Sequence, residues 1–161
     1  MPYDERLAYP LMSKVAASIK AVVEMHEDKL DNRVENMLAG SLVDVKELKT
    51  FQNLLLIASM RTMNRAIKKV RSFSELKGVK ECPLSGVIVT GAGDIDPESL
   101  DYIKENQLPL LRTNLDTYGA VIKISRIEVK INRHTPWKVN RAIELIKSNV
   151  DLEKVLERSK L

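Results

Sequence analysis

The stretch that most constrains this chain is residues 84–93, Leu-Ser-Gly-Val-Ile-Val-Thr-Gly-Ala-Gly. It is a continuous run of small and apolar residues that stops at a glycine-flanked turn. A strand with one wet face alternates polar and apolar residues. This one does not, so both of its faces must be covered. Helices packed above and below a largely parallel sheet supply that cover. In open sheets of this kind, ligands gather beyond the carboxyl ends of the strands. The run therefore predicts a central strand over 84–90, with the loop 91–93 at the ligand edge.

Other runs repeat the pattern. Residues 21–25, 34–39, 53–58 and 108–113 have strand composition, and 128–131 is a short alternating piece. Between them lie helical patterns. Ser13 is placed to cap a helix with Val15, Ile19 and Val22 at helical spacing. Ser41 is placed to cap a short helix over 43–50. Residues 62–72 put Met63, Ala66, Ile67 and Val70 on one face and the bases on the other. Asp96 followed by Pro97 and Glu98 reads as the start of a helix reaching about residue 106. Another helix starts at Asn114 or Leu115 and runs to about Ser125. A last one opens at Thr135-Pro136 with a stripe of Val139, Ala142, Ile143 and Ile146, and Asp151 caps a final turn. Strands alternating with helices predict βα units. The expected fold class is α/β: a single domain with a mainly parallel sheet flanked by helices. Its expected divisions are an extended opening segment (1–12), the α/β domain (13–150) and a C-terminal helical extension (151–161).

Composition excludes several functions. Aromatic residues make up 4% of the chain, too few for the stacking platforms of single-strand nucleic-acid binders. One cysteine, Cys82, leaves no internal disulfide, which fits a reducing compartment and an inert, partly buried thiol. The sequence contains no 18-residue apolar run, and its start lacks a signal-peptide pattern, so no membrane association and a cytoplasmic location are expected. Charge is unevenly placed: residues 61–80 carry Arg61, Arg65, Lys68, Lys69, Arg71, Lys77 and Lys80 against Glu75 alone, and the following forty residues are acidic. Such polarity suits an anion or a charged partner.

Catalytic patterns are missing. GxxxxGK[ST] does not occur, and Gly91 and Gly93 lack the third glycine of the dinucleotide fingerprint. His26 and His134 sit in separate polar turns without ligand-spaced partners, so neither a metal nor a cofactor is expected. No nucleophile pairs with a base. What remains is a set of strand-end residues: Gly40 and Ser41; Ser59, Arg61 and Thr62; Thr90, Gly91, Ala92 and Gly93; and Arg112 and Thr113, with Asp116 close behind. If the strands are parallel, these share one edge. Hydroxyls, exposed amides and two arginines there would form an anion or nucleotide cradle, the alternative being a row of turns and caps.

Residues 53–62 (Asn-Leu-Leu-Leu-Ile-Ala-Ser-Met-Arg-Thr), 86–92 (Gly-Val-Ile-Val-Thr-Gly-Ala), 108–111 and 116–118 resemble the DRTGG domain. The upstream 30–41, and the closing Lys130-Ile131 and 143–146, also fit, so the resemblance covers about 13–150. Arg61, Thr62 and Gly91 are kept. The family's Asp before Arg-Thr is Met60 here, and its second glycine is Ala92, so no acidic ligand contact carries over at position 60. The resemblance implies a fold similar to the N-terminal domain of HPr kinase/phosphorylase. Such domains are typically non-catalytic, lying between a dethiobiotin-synthetase-like P-loop domain and a phosphotransacetylase domain, or beside CBS domains in family-II pyrophosphatases. Residues 2–10 look like the segment that ends the P-loop domain in those longer proteins, implying a stand-alone remnant or a piece of such an architecture.

The resemblance thus implies a regulatory, ligand-binding module and not an enzyme. Its expected ligand is an adenine nucleotide or other anion, and its expected partners are a second copy of itself or a P-loop or acetyltransferase protein. Two alternatives stay open: a structural interaction module without a small ligand, and nucleic-acid binding through the basic face at 61–80. The second lacks a reading motif.

Overall fold

The structure, a computed structural model, describes residues 4–40, 50–131 and 135–151, together with 154, 157 and 158. Among these, β1 (Val22–Met25), β2 (Asn36–Ala39), β3 (Leu54–Ser59), β4 (Leu84–Thr90) and β5 (Leu110–Thr113) form one sheet in the order β1-β5-β4-β3-β2. The last four run parallel, and β1 pairs antiparallel with β5 at one edge. Every residue of β4 is buried, and it occupies the middle of the sheet. That is the position its unbroken apolar run requires.

Alternate residues of the inner strands feed two cores. Leu54, Leu56 and Ala58 of β3, with Val87 and Val89 of β4, meet Met63, Ala66, Ile67 and Val70 of α2 (Met63–Leu76) and Tyr102 and Ile103 of α3 (Pro97–Glu105). Leu55, Ile57, Ile88 and Leu111 point the other way. They meet Met12, Val15 and Ala16 of α1 (Met12–Ser18) and Ala120 and Ile124 of α4 (Thr117–Ser125). The result is a three-layer α/β domain with a mainly parallel sheet flanked by helices, as expected.

Local chemistry sets the helix starts. Asp96 caps α3: its Oδ1 accepts from the Ser99 amide at 2.9 Å and its Oδ2 from the Ser99 hydroxyl at 2.6 Å, with Pro97 in the first turn. Asn64 Nδ2 of α2 donates to the same carboxylate at 2.8 Å. Burial works against ionisation of Asp96, but the hydrogen bonds from Ser99 and Asn64 outweigh it and lower its pKa. Asp96→Ala is expected to destabilise the domain by about 1–2 kcal/mol, the typical loss of a cap. Urea unfolding checks this, and an unchanged midpoint would refute it.

Several boundaries differ from the sequence pattern: β2 and β5 each start two residues later than expected, residues 128–131 form no strand, and three helices are shifted. Helix α1 begins at Met12, with Leu11 at the cap and no side-chain cap bond, so Ser13 lies inside it. Helix α2 runs four residues past its expected end at Ser72, to Leu76. Helix α4 begins at Thr117, capped by Asp116. The expected helix over 43–50 and His134 lie outside the described residues, Thr50 excepted.

The chain divides into two compact units, one spanning Pro10–Ile127 and the other formed by the described residues up to Tyr9 and from Glu128 onward. In the second unit, α5 (Pro136–Asn149) buries Lys138 completely and Leu145 nearly so. Val139, Ile143 and Ile146 of the apolar stripe are partly exposed. Lys138 Nζ donates to the Leu7 carbonyl at 2.7 Å, and Arg141 Nε meets Asp4 Oδ2 at 2.5 Å. Hydrogen bonds from Arg6 and Arg141 hold the Asp4 carboxyl well below the usual carboxylate range.

Candidate functional site

Parallel register aligns the strand ends. Ser59 pairs with Thr90, and Thr90 with Thr113, so three hydroxylic residues stand side by side where β3, β4 and β5 finish. Gly40 lies past the end of β2, its amide bonded to the Ile57 carbonyl at 2.8 Å. Ser41 lies outside the described residues.

The row is largely satisfied internally. Ser59 Oγ and Thr62 Oγ1 are 3.1 Å apart, and the Thr62 amide donates to the Ser59 carbonyl at 3.0 Å, closing a tight turn before α2. Thr90 Oγ1 faces Thr117 Oγ1 at 3.2 Å. Thr113 Oγ1 donates to the Ile19 carbonyl at 3.1 Å and accepts from the Leu115 amide at 3.3 Å. Asp116 Oδ1 accepts from the Gly119 amide at 2.7 Å, capping α4. Thr90 and Thr113 are also buried, so these hydroxyls shape the floor of the rim.

Above that floor stand the exposed parts. Gly91 and Gly93 take φ of +86° and +117°, a backbone region that side chains resist. With Ala92 between them, they form a solvent-exposed loop anchored by the Gly91 amide on the Thr113 carbonyl at 3.1 Å. Arg61 is exposed and makes no hydrogen bond or ion pair among the described residues. Arg112 is tied down: Nη1 donates to the Gly91 carbonyl at 3.0 Å and lies 3.9 Å from Met60 Sδ, and Nε and Nη2 engage the two carboxylate oxygens of Glu24. The structure thus gathers Ser59, Thr62, Thr90, Gly91, Ala92, Gly93, Arg112 and Thr113 at one edge, with Arg61 in the turn after β3. Gly40 lies to the side, beyond the edge strand β2.

Glu24 was not visible as a site residue in the sequence. A lone acid in the short run 21–25 is the only hint, because its meeting with Arg112 crosses nearly the whole domain. The Met60 substitution acquires a local meaning, since its sulfur sits beside the Arg112 guanidinium.

Other candidate chemistry is absent or spent. Among the described residues, no three His, Cys, Asp or Glu side chains are placed to hold a metal ion, and no helix is long and apolar enough to cross a membrane. Burial pushes the Cys82 thiol up, and its sulfur rests 3.3 Å from the Tyr102 hydroxyl. It is therefore a protonated packing group. The basic face of α2 is partly neutralised at home: Lys68 Nζ lies 3.1 Å from Glu98, and Arg71 lies 4.0 Å from Glu98 and 3.9 Å from Glu105. Two acids of the stretch that follows in sequence, Glu98 and Glu105, thus pair with this face.

Comparison with known proteins gives this geometry a context. No protein of curated function matches the sequence. A solved structure of the CBS and DRTGG domains of the regulatory region of Clostridium perfringens pyrophosphatase, complexed with the activator diadenosine tetraphosphate, is similar in fold, with 16% identity and a TM-score of 0.50. The likeness covers 76% of this chain and 50% of that one, so the chain spans half the length of its structural relative. The sequence model described as the DRTGG domain matches residues 14–127, well over half the chain and nearly the whole of the α/β unit. The chain belongs to the DRTGG domain family.

Proposed function

We propose that the chain is a non-catalytic regulatory domain whose strand-end rim binds a phosphorylated ligand of the adenine-nucleotide class. The observation that carries this reading is the convergence, beyond the ends of parallel strands, of the exposed 91–93 loop with the Arg61 turn and the Arg112 guanidinium. Guanidinium groups and backbone amides in such a place suit phosphate oxygens. The activator held by the pyrophosphatase regulatory region supports a nucleotide over other anions. A homodimer, or a complex with a P-loop or acetyltransferase enzyme, is the assembly through which such a domain would act.

Isothermal titration with ATP, AMP and diadenosine tetraphosphate tests the reading. Binding of at least one is expected, and Arg61→Ala should weaken it by about tenfold or more, the loss expected of a charge-assisted hydrogen bond. No heat from any of the three, with a folded protein, would remove the ligand. Sedimentation velocity tests the dimer. Nucleic-acid binding loses support from the pairing of Lys68 and Arg71 with α3.

A further inference from the structure

Arg112 is one of the two cations this reading depends on, and it already holds an anion. Glu24 reaches it from a point where the pairing of β1 is irregular. Val23 faces Leu111 and Met25 faces Leu110, so two steps along β1 match one along β5 and Glu24 is the extra residue of a bulge. Bulges bend an edge strand and re-aim one side chain. Beside this bulge the Glu24 carboxylate, on the face opposite Val23, fills the guanidinium fork as the two oxygens of a phosphate would. The pair is not sealed: the two side chains are 23% and 30% exposed, so water and solute ions reach both. Arg112 also grips the Gly91 carbonyl at 3.0 Å, and this joins the pair to the glycine loop of the rim.

We propose that Glu24 is a tethered competitor, an internal carboxylate that occupies Arg112 until a phosphate displaces it. This rests on the reading of the rim as an anion site. A singly charged anion would exchange one charge for another on Arg112 and leave Glu24 without its partner. A phosphorylated ligand bearing two or more charges engages Arg112 and Arg61 together, so it alone gains by the exchange. Glu24 therefore sets a charge threshold on what the rim accepts. It also gives binding a mechanical outlet, because occupancy frees the bulge of β1 from the glycine loop.

The test compares wild type with Glu24→Gln, which keeps the shape and removes the charge, by calorimetry at low salt with inorganic pyrophosphate and with acetate. Pyrophosphate should bind wild type, bind Glu24→Gln at least about tenfold more tightly, and shift the backbone amide resonances of Glu24 and Met25 in wild type. Acetate should bind neither or only the variant. Equal pyrophosphate affinities would overturn the competitor and leave the rim standing as a site. Weaker binding by Glu24→Gln would also overturn it, making Glu24 a positioning partner of Arg112. If neither protein binds pyrophosphate or ATP, the rim reading itself falls. Glu24→Ala, on the same edge strand, repeats the comparison should the glutamine variant misfold.

Discussion

Gly86→Val is expected to destabilise the α/β unit by overfilling the space beside the central strand. A Cβ added at Gly86 would stand 2.4 Å from Met12 Cε, 2.8 Å from Met12 Sδ and 3.1 Å from Pro109 Cγ. Met12 is fully buried, so its flexible end has no solvent to retreat into. Overpacking of this kind costs about 1–3 kcal/mol, and valine's two further methyl groups push toward the upper end. Met12→Ala should cost about 2–5 kcal/mol for the opposite reason, since it leaves a cavity between α1 and the sheet. The two changes are complementary in volume. Combined, they should cost less than the sum of the separate losses, with a favourable coupling of about 0.5–3 kcal/mol. Denaturant unfolding of the four proteins closes this cycle, and strict additivity would show that the Met12 side chain does not fill the space above Gly86.

The second large effect depends on pH and belongs to the other unit. Burial lowers the pKa of Lys138 from 10.5 to about 8. The unfolded chain keeps this proton up to about pH 10.5, and the folded chain releases it above about pH 8. Across that window the unfolded state binds more protons, so raising the pH favours the folded form. Lys138→Met keeps the length and apolar stem but has no proton to lose. The difference in stability between wild type and this variant should therefore move in favour of wild type from pH 8 to pH 10.5. Trp137, the chain's single tryptophan, adjoins Lys138 with the ammonium 5.1 Å from its ring, so its fluorescence reports on this unit. Parallel pH profiles would refute the prediction.

Strands β3 and β4 were legible in the sequence because a strand buried on both faces needs no contribution from elsewhere to declare itself: Leu54–Ser59 and Leu84–Thr90 are runs no other element writes so plainly. The Asp96-Pro97 start of α3 was legible for a similar reason, the cap and its target being three residues apart. What failed was decided at long range. The first amides of α1 are satisfied by backbone carbonyls of another segment, Met12 on Asn32 at 2.8 Å and Ser13 on Leu30 at 2.9 Å, and backbone acceptors leave no mark in composition. Helix α5 was read from its apolar stripe, whereas its deepest residue is a lysine matched to one carbonyl. At the rim, the parallel arrangement followed from the alternation of elements. The Glu24 carboxylate did not, because its partner Arg112 stands 88 residues further along and strand composition does not say which strands become neighbours.

The strand order has a consequence for how the chain assembles. Among the described residues β1 is the first strand in the sequence, yet its one neighbour in the sheet is β5, the last: Val22 pairs with Arg112. During synthesis on a ribosome, β2, β3 and β4 have adjacent partners as each emerges, while β1 and its Glu24 wait unpaired until residue 113 is clear of the exit tunnel. Pairings so distant in sequence come late in folding, after the closure entropy of the intervening chain has been offset. The Glu24–Arg112 contact is therefore a record of completion, present only in molecules whose sheet has closed from both sides.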